Sequence, residues 1–195
     1  MLEAAIGLIA TQLNHALRSA FQLSEDLVVV TSLVDVNGSA PVNATNKLVV
    51  FLANIERETL MAAQGVRAAV AGGDRDAIAQ TSAAVHLNLM LMFAANFAGS
   101  KYTEALKFIS ATIAFFQGRT RFDHHNAPDL DPRIDRLVLD MESLNVAELA
   151  NLWGILGGKY VPSVLYRMRM ITFDSGQITH LVPRITRARG DVEGV

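Results

Sequence analysis

The chain contains no cysteine. That excludes disulfides, thiolate metal sites and a cysteine nucleophile. It is also poor in charge, with Asp, Glu, Lys and Arg making up 18% of its 195 residues. The two signs nearly cancel, 17 basic against 19 acidic for a net of −2. Such a balance gives no support to polyanion binding, so no nucleic-acid partner is expected. Long apolar runs are missing too. Polar residues such as Asn88, Asn96, Thr112 and Gln117 interrupt the most apolar stretches well short of bilayer-spanning length. No membrane partner is therefore expected. The opening Met1-Leu2-Glu3 places an acid where an export signal carries basic residues. The Asn-Gly-Ser at 37–39 and Asn-Ala-Thr at 43–45 then read as turn chemistry and not as glycosylation sites.

Catalytic motifs are scarce as well. No Gly-x-Ser-x-Gly elbow occurs. Gly158-Lys159 has the ending of a phosphate loop, but Trp153 stands where that loop needs its first glycine and Tyr160 where it needs Ser or Thr. A helix stop is the simpler reading. Asp123-His124-His125 is the best metal candidate, yet adjacent histidines rarely face one ion, and no His-x₃-His lies nearby. Neither a metal nor a cofactor is implied.

Apolar residues are abundant at 51%, and mean hydropathy is +0.27. Both are far from a disordered composition. Both are high for a chain whose whole surface meets water, so buried contact with other subunits is expected. The length suits one domain with appendages.

Periodicity divides the chain. Leu2, Ala5, Ile6, Ile9, Leu13, Ala16, Leu17, Ala20 and Phe21 recur at three- and four-residue steps and predict a helix over 2–22, with His15 at its boundary. Residues 27–34 read as a strand and 35–46 as a loop. The segment 47–55 is apolar on both faces and reads as a central strand. An Ala/Gly-rich stretch at 58–84 shows no consistent face and reads as a mobile or partly helical insertion.

Strict alternation follows at 85–93. Val85, Leu87, Leu89, Leu91 and Phe93 point one way; His86, Asn88, Met90 and Met92 point the other. The second face is either packed under a helix or offered to another chain, since methionine suits adaptable contacts. His86 reads as a packed or interface histidine. A helix over 101–117 ends at Gly118, its wide stripe of Tyr102, Leu106, Phe108, Ile109, Ile113, Phe115 and Phe116 suggesting burial on two sides. Residues 119–133 read as a polar loop, and 137–142 alternates as a strand.

Asn145 and Glu148 have capping-box spacing, and Leu144 and Leu149 sit at staple positions, so a helix should run to Leu156 and stop at Gly157-Gly158. A last strand spans 164–173. On it Arg167 and Arg169 share a face with Leu165, Ile171 and Phe173. They are snorkelling or salt-bridged side chains, or a subunit contact. The tail carries Arg184, Arg187 and Arg189 and reads as a docking arm or a solvated terminus, with the arm favoured. The order of elements gives an α+β or mixed α/β fold, with helices on a mostly antiparallel or mixed sheet.

Four segments together resemble a known family. They are Asn46 to Glu58, Val85 to Phe97, Tyr102 to Gly118 with its Phe-Phe-Gln-Gly end, and Leu149 to Tyr160 running on through Pro162 and Ser163 to Tyr166. The opening helix and Leu33-Val34-Asp35 fit as well, and the Leu-Trp-Gly…Lys-Tyr-x-Pro-Ser stretch is the most specific. The chain is similar, over about residues 1–173, to the cap or tail-terminator proteins of extracellular contractile injection systems, the phage-tail-like particles of the antifeeding-prophage and virulence-cassette type. The resemblance implies a six-fold homo-oligomeric ring at the end of a tube and sheath, with tube and sheath proteins as partners and no catalytic residues. On this reading Met90, Met92, Arg167, Arg169, Arg184, Arg187 and Arg189 are the candidate interface residues. The rival readings are a baseplate or tube component of the same particle, or a small-ligand-binding domain.

Overall fold

A computed structural model of the chain describes residues 1–35, 37–39, 41–58, 67–70, 77–81, 86–157, 159–172 and 178–183. Helix α1 spans Leu2–Phe21. Glu3 lies in its first turn and Arg18 in its last, each at the dipole end that favours its charge. It ends where Gln22 turns into the left-handed region at φ 53° and its N–H donates to the Arg18 carbonyl. The buried stripe is Ala5, Ile6, Leu8, Ile9, Leu13 and Leu17, with one polar member, Asn14.

Asn14 explains how the first strand is held. Its Oδ1 accepts from the N–H groups of Leu27 and Val28, at 2.9 and 2.8 Å. Its Nδ2 donates to the Val28 carbonyl at 2.9 Å. Strand β1 is only Val28–Val30. That is shorter than the strand expected over 27–34, because the chain bends away from Thr31 onward. The bend closes in a turn at Asn37-Gly38, where Gly38 sits at φ +78° and donates to the Asp35 carbonyl.

Six strands make the main sheet, in the order β1-β2-β5-β8-β7-β6. Besides β1 they are β2 (Lys47–Arg57), β5 (His86–Asn96), β6 (Arg121–Asp123), β7 (Ile134–Glu142) and β8 (Ser163–Thr172). Only β1 with β2 is parallel; β2-β5, β5-β8, β8-β7 and β7-β6 are antiparallel. The α+β class with a mixed sheet is thus as expected. Strand β6 falls in a segment that reads as a polar loop: only Phe122 of its three residues is fully buried, too little alternation to recognise.

Strands β3 (Arg67–Val70) and β4 (Ala77–Thr81) lie within 58–84, where the sequence suggested helix at most, and β9 (Ile178–Pro183) lies in the tail. They form a second sheet in the order β3-β4-β9. These strands follow β2, precede β5 and follow β8 along the chain, so the small sheet repeats the order of the three central strands. Parts of the insertion, and the tail beyond 183, lie outside the described residues.

The main sheet is packed on both faces. On the first, Leu48 and Val50 of β2, Leu89, Leu91 and Phe93 of β5, Tyr166 and Met168 of β8 and Leu137 and Leu139 of β7 form one core with α1 and with helix α2 (Tyr102–Gly118). Its centre is aromatic. Phe93, Phe116 and Tyr166 lie mutually within 4.8–5.6 Å between centroids, in tilted or edge-on arrangements. Helix α2 buries Ala105, Phe108, Ile109, Thr112 and Phe116, while Tyr102 and Leu106 of the expected stripe turn outward. On the second face a smaller core joins Val49, Phe51, Met90, Met92, Ala94 and Leu165 to Trp153 of helix α3 (Val146–Ile155).

Candidate interaction surface

Helix α3 covers only one end of the second face. Its start follows the expected capping box: Asn145 accepts from the Glu148 N–H, and Glu148 accepts from the Asn145 N–H, each at 2.9 Å. Its end follows from Gly157 at φ +65°. Trp153 is the buried anchor. Among the described residues nothing packs against the opposite side of the helix. Val146 and Ile155 are each 84% exposed, the outward residues between them include Ala147, Ala150 and Gly154, and Tyr160 beyond the helix is also exposed. Apolar side chains presented together in this way offer area for contact with another molecule.

Beside α3 the same face turns polar. The register sets Asn88 of β5 opposite Arg169 of β8, and Arg167 opposite both Met90 and Asp140 of β7. Arg167 donates to Glu142 at 3.1 Å and Arg169 to Asp140 at 2.6 Å, diagonal pairs across β8 and β7. Asn88 donates to Glu58 at 3.1 Å, but among the described residues its buried Oδ1 and the Nε of Arg167 have no hydrogen-bond partner. Buried polar groups left half-satisfied are costly to the folded state.

The interface candidates named from the sequence therefore separate. Arg167 and Arg169 are part-exposed on the open floor of the sheet. Met90 and Met92 are 8% and 1% exposed, inside the second core with Trp153, and present no surface. Arg184, Arg187 and Arg189 lie outside the described residues. His86 is half-buried at the start of β5, and His15 is exposed on α1.

The Asp123-His124-His125 segment forms a turn. Asp123 Oδ1 accepts from the N–H groups of His125 and Asn126, and the His124 ring meets the Ile134 carbonyl at 2.8 Å. Desolvation raises the Asp123 pKa, but the backbone N–H groups of Asn126 and His125 and the Arg121 guanidinium more than offset it and hold the carboxyl below its ordinary range. Among the described residues no three His, Asp or Glu side chains come together as metal ligands. Among them, too, no helix is long and apolar enough to cross a membrane.

A third surface feature lies at the sheet edge and was not foreseen. Where β1 ends, a groove of about 390 Å³ opens beside β2, lined by Ile6, Val50 and Leu52 with Val30–Val34 at the rim and Phe51 and Leu156 opposite. The sequence signal for it is the length mismatch between a long central strand and a short neighbour, visible once pairing is known.

Comparison with known proteins identifies the family and the fold. The Pvc16 N-terminal domain family matches residues 6–187. No curated protein matches the chain. Among solved structures, the chain is similar to the PVC sheath/tube terminator of an extracellular contractile injection system in its extended state, determined by cryo-EM. The TM-score is 0.56 at 14% identity, over 96% of this chain and 63% of that one. It is similar also to the anti-feeding prophage cap, a tube-terminating cap, with a TM-score of 0.57 at 15% identity, over 93% of this chain and 60% of that one. The chain thus spans about six-tenths of the length of either structure. At these identities the likeness is one of fold.

Proposed function

The chain belongs to the Pvc16 N-terminal domain family, and from that premise we propose that it is a structural assembly protein. It caps the end of the tube and sheath of a contractile, phage-tail-like injection particle, stopping tube growth and anchoring the last sheath layer. The observation that carries this reading is the shared fold: nearly the whole chain superposes on a sheath/tube terminator and on a tube-terminating cap.

Physical requirements agree with it. A filament grows because its end subunits present unpaired surface, and a terminator covers that surface while offering no equivalent one. As a ring-shaped homo-oligomer, with six copies expected by resemblance, it needs one surface to meet a different one on the next copy and close. The bare face of α3 supplies apolar area for such contact, and the Arg167/Arg169 floor supplies directional polar contact. Residues 1–173 act as the terminator-like domain, β9 adds to its small sheet, and the part of 174–195 that carries Arg184, Arg187 and Arg189 acts as a docking arm. The protein works without catalysis or cofactor, is assembled in the cytoplasm, and leaves with the particle.

The test is electron microscopy of particles made without this chain. Overlong tubes, or sheaths that fall away from the tube end, are expected. Tubes of normal length with stable sheaths would refute the reading, and loss of all tubes would instead assign the chain to the baseplate or tube.

A further inference from the structure

We infer that the small sheet β3-β4-β9 is the joint between copies: β9 of one copy pairs edge to edge with β3 of the next, and the sheets of all copies close into one barrel. This rests on the ring reading above and says which strands make the ring. Among the described residues, β3, β4 and β9 pack appreciably only on one another. No helix lies over them as α1 and α2 lie over the main sheet. A small sheet with no layer against it is marginal in water. Composition weakens it further. Four of the nine residues of β3 and β4 are alanine, Ala68, Ala69, Ala77 and Ala79, and alanine favours strands little. Such a sheet needs pairing or packing from outside the chain.

Its two edges are where pairing can be gained. β3 and β9 are the end strands of the sheet. An edge left to solvent is normally blunted by lysine, an inward charge, proline or a bulge. β3 reads Arg-Ala-Ala-Val and β9 reads Ile-Thr-His-Leu-Val-Pro. Neither holds a lysine or an acid, and Arg67 and Pro183 stand only at the strand ends. The bulge lies between β4 and β9, on the inner side. The middle of each edge, Ala68-Ala69 and Thr179 to Val182, is left without these devices.

Strand direction selects a second copy as the occupant. Both outer strands are antiparallel to β4, so β3 and β9 run the same way. Rotation about a ring axis keeps that direction in every copy. The β9 edge of one copy then meets the β3 edge of the next as a parallel pair, the pairing that β1 and β2 already use in the main sheet. An arm from another protein fills one edge and leaves the other bare. Copies joined head to tail fill both, and closure leaves no edge at all.

The experiment exploits the absence of cysteine. Ala69→Cys in β3 is combined in turn with Ile178→Cys, Thr179→Cys, His180→Cys, Leu181→Cys and Val182→Cys in β9, so that each register is sampled. Full chains are oxidised under the conditions in which wild type forms its ring, alone or with tube or sheath protein. Within one chain β4 separates the two strands, leaving them about 9–10 Å apart, beyond the roughly 7 Å that a disulfide spans. A bond therefore forms only between copies. At least one combination should give a covalent ladder on non-reducing electrophoresis, while each single-cysteine variant stops at a dimer. Thermal unfolding should be unchanged, since the main body does not pack on this sheet. In wild type, amides of 67–70 and 178–183 should exchange hydrogen more slowly in the ring than in the monomer. A wild-type ring with no ladder from any combination, or with unchanged exchange in both strands, overturns the joint and leaves the ring and the capping role standing. No ring under any of these conditions overturns the ring itself, and this inference with it.

Discussion

At the scale of single residues, two buried polar side chains behave in opposite ways. Asn14 is well employed, accepting from two N–H groups and donating to one carbonyl. Tyr166 sits in the aromatic centre, and among the described residues its hydroxyl has no partner. A buried hydroxyl without a hydrogen bond costs stability. Tyr166→Phe should therefore raise unfolding stability by about 1 kcal/mol in chemical denaturation; a loss would mean that the hydroxyl is satisfied. Burial also lifts the Tyr166 pKa above its ordinary 10.0. The folded state then keeps the phenol neutral where the unfolded chain ionises. Its contribution is complete below pH 10 and is lost as pH rises through the folded value. The wild-type curve should fall more steeply than the Phe variant's above pH 10, and parallel curves would contradict the shift. Neither role could be read beforehand, since one asparagine inside an apolar stripe looks like a boundary residue until its partner strand is placed.

At the scale of elements, the legible parts were those whose signal is local. The capping box at Asn145 and Glu148 specifies the start of α3 within a few residues of chain. The alternation through β5 specifies which side chains share a face, and Leu89, Leu91 and Phe93 do share a core apart from Met90 and Met92. What lay beyond reach was pairing. The shortness of β1, the existence of β6 and the burial of Met92 all depend on which strand lies next and which helix lies over it. Arg167 and Arg169 show the same division, for their common face was visible and their partners Glu142 and Asp140 were not. Both pairs are part-exposed, and such pairs are worth only about 0.2–1 kcal/mol each. Replacing both arginines with glutamate should thus lower the melting temperature by a few degrees at most, while weakening assembly strongly. Assembly equal to wild type would remove this floor from the interface.

At the scale of the whole molecule, sheet and helices leave one apolar flank bare, and a chain with 18% charged residues has little else to keep it apart from its copies. Light scattering on purified protein should show a ring, or one that forms when tube or sheath protein is added. A persistent monomer with both added would count against the assembly role. The two sheets carry a further consequence. Three consecutive lengths of chain run through both, β2 into β3, β4 into β5 and β8 into β9, crossing only residues 58–66, 82–85 and 173–177. A pull on the small sheet is therefore delivered to the large one through three covalent connections. Because the three pulled strands are neighbours in the main sheet, such a load passes to the ladders that β2 and β8 make with β1 and β7.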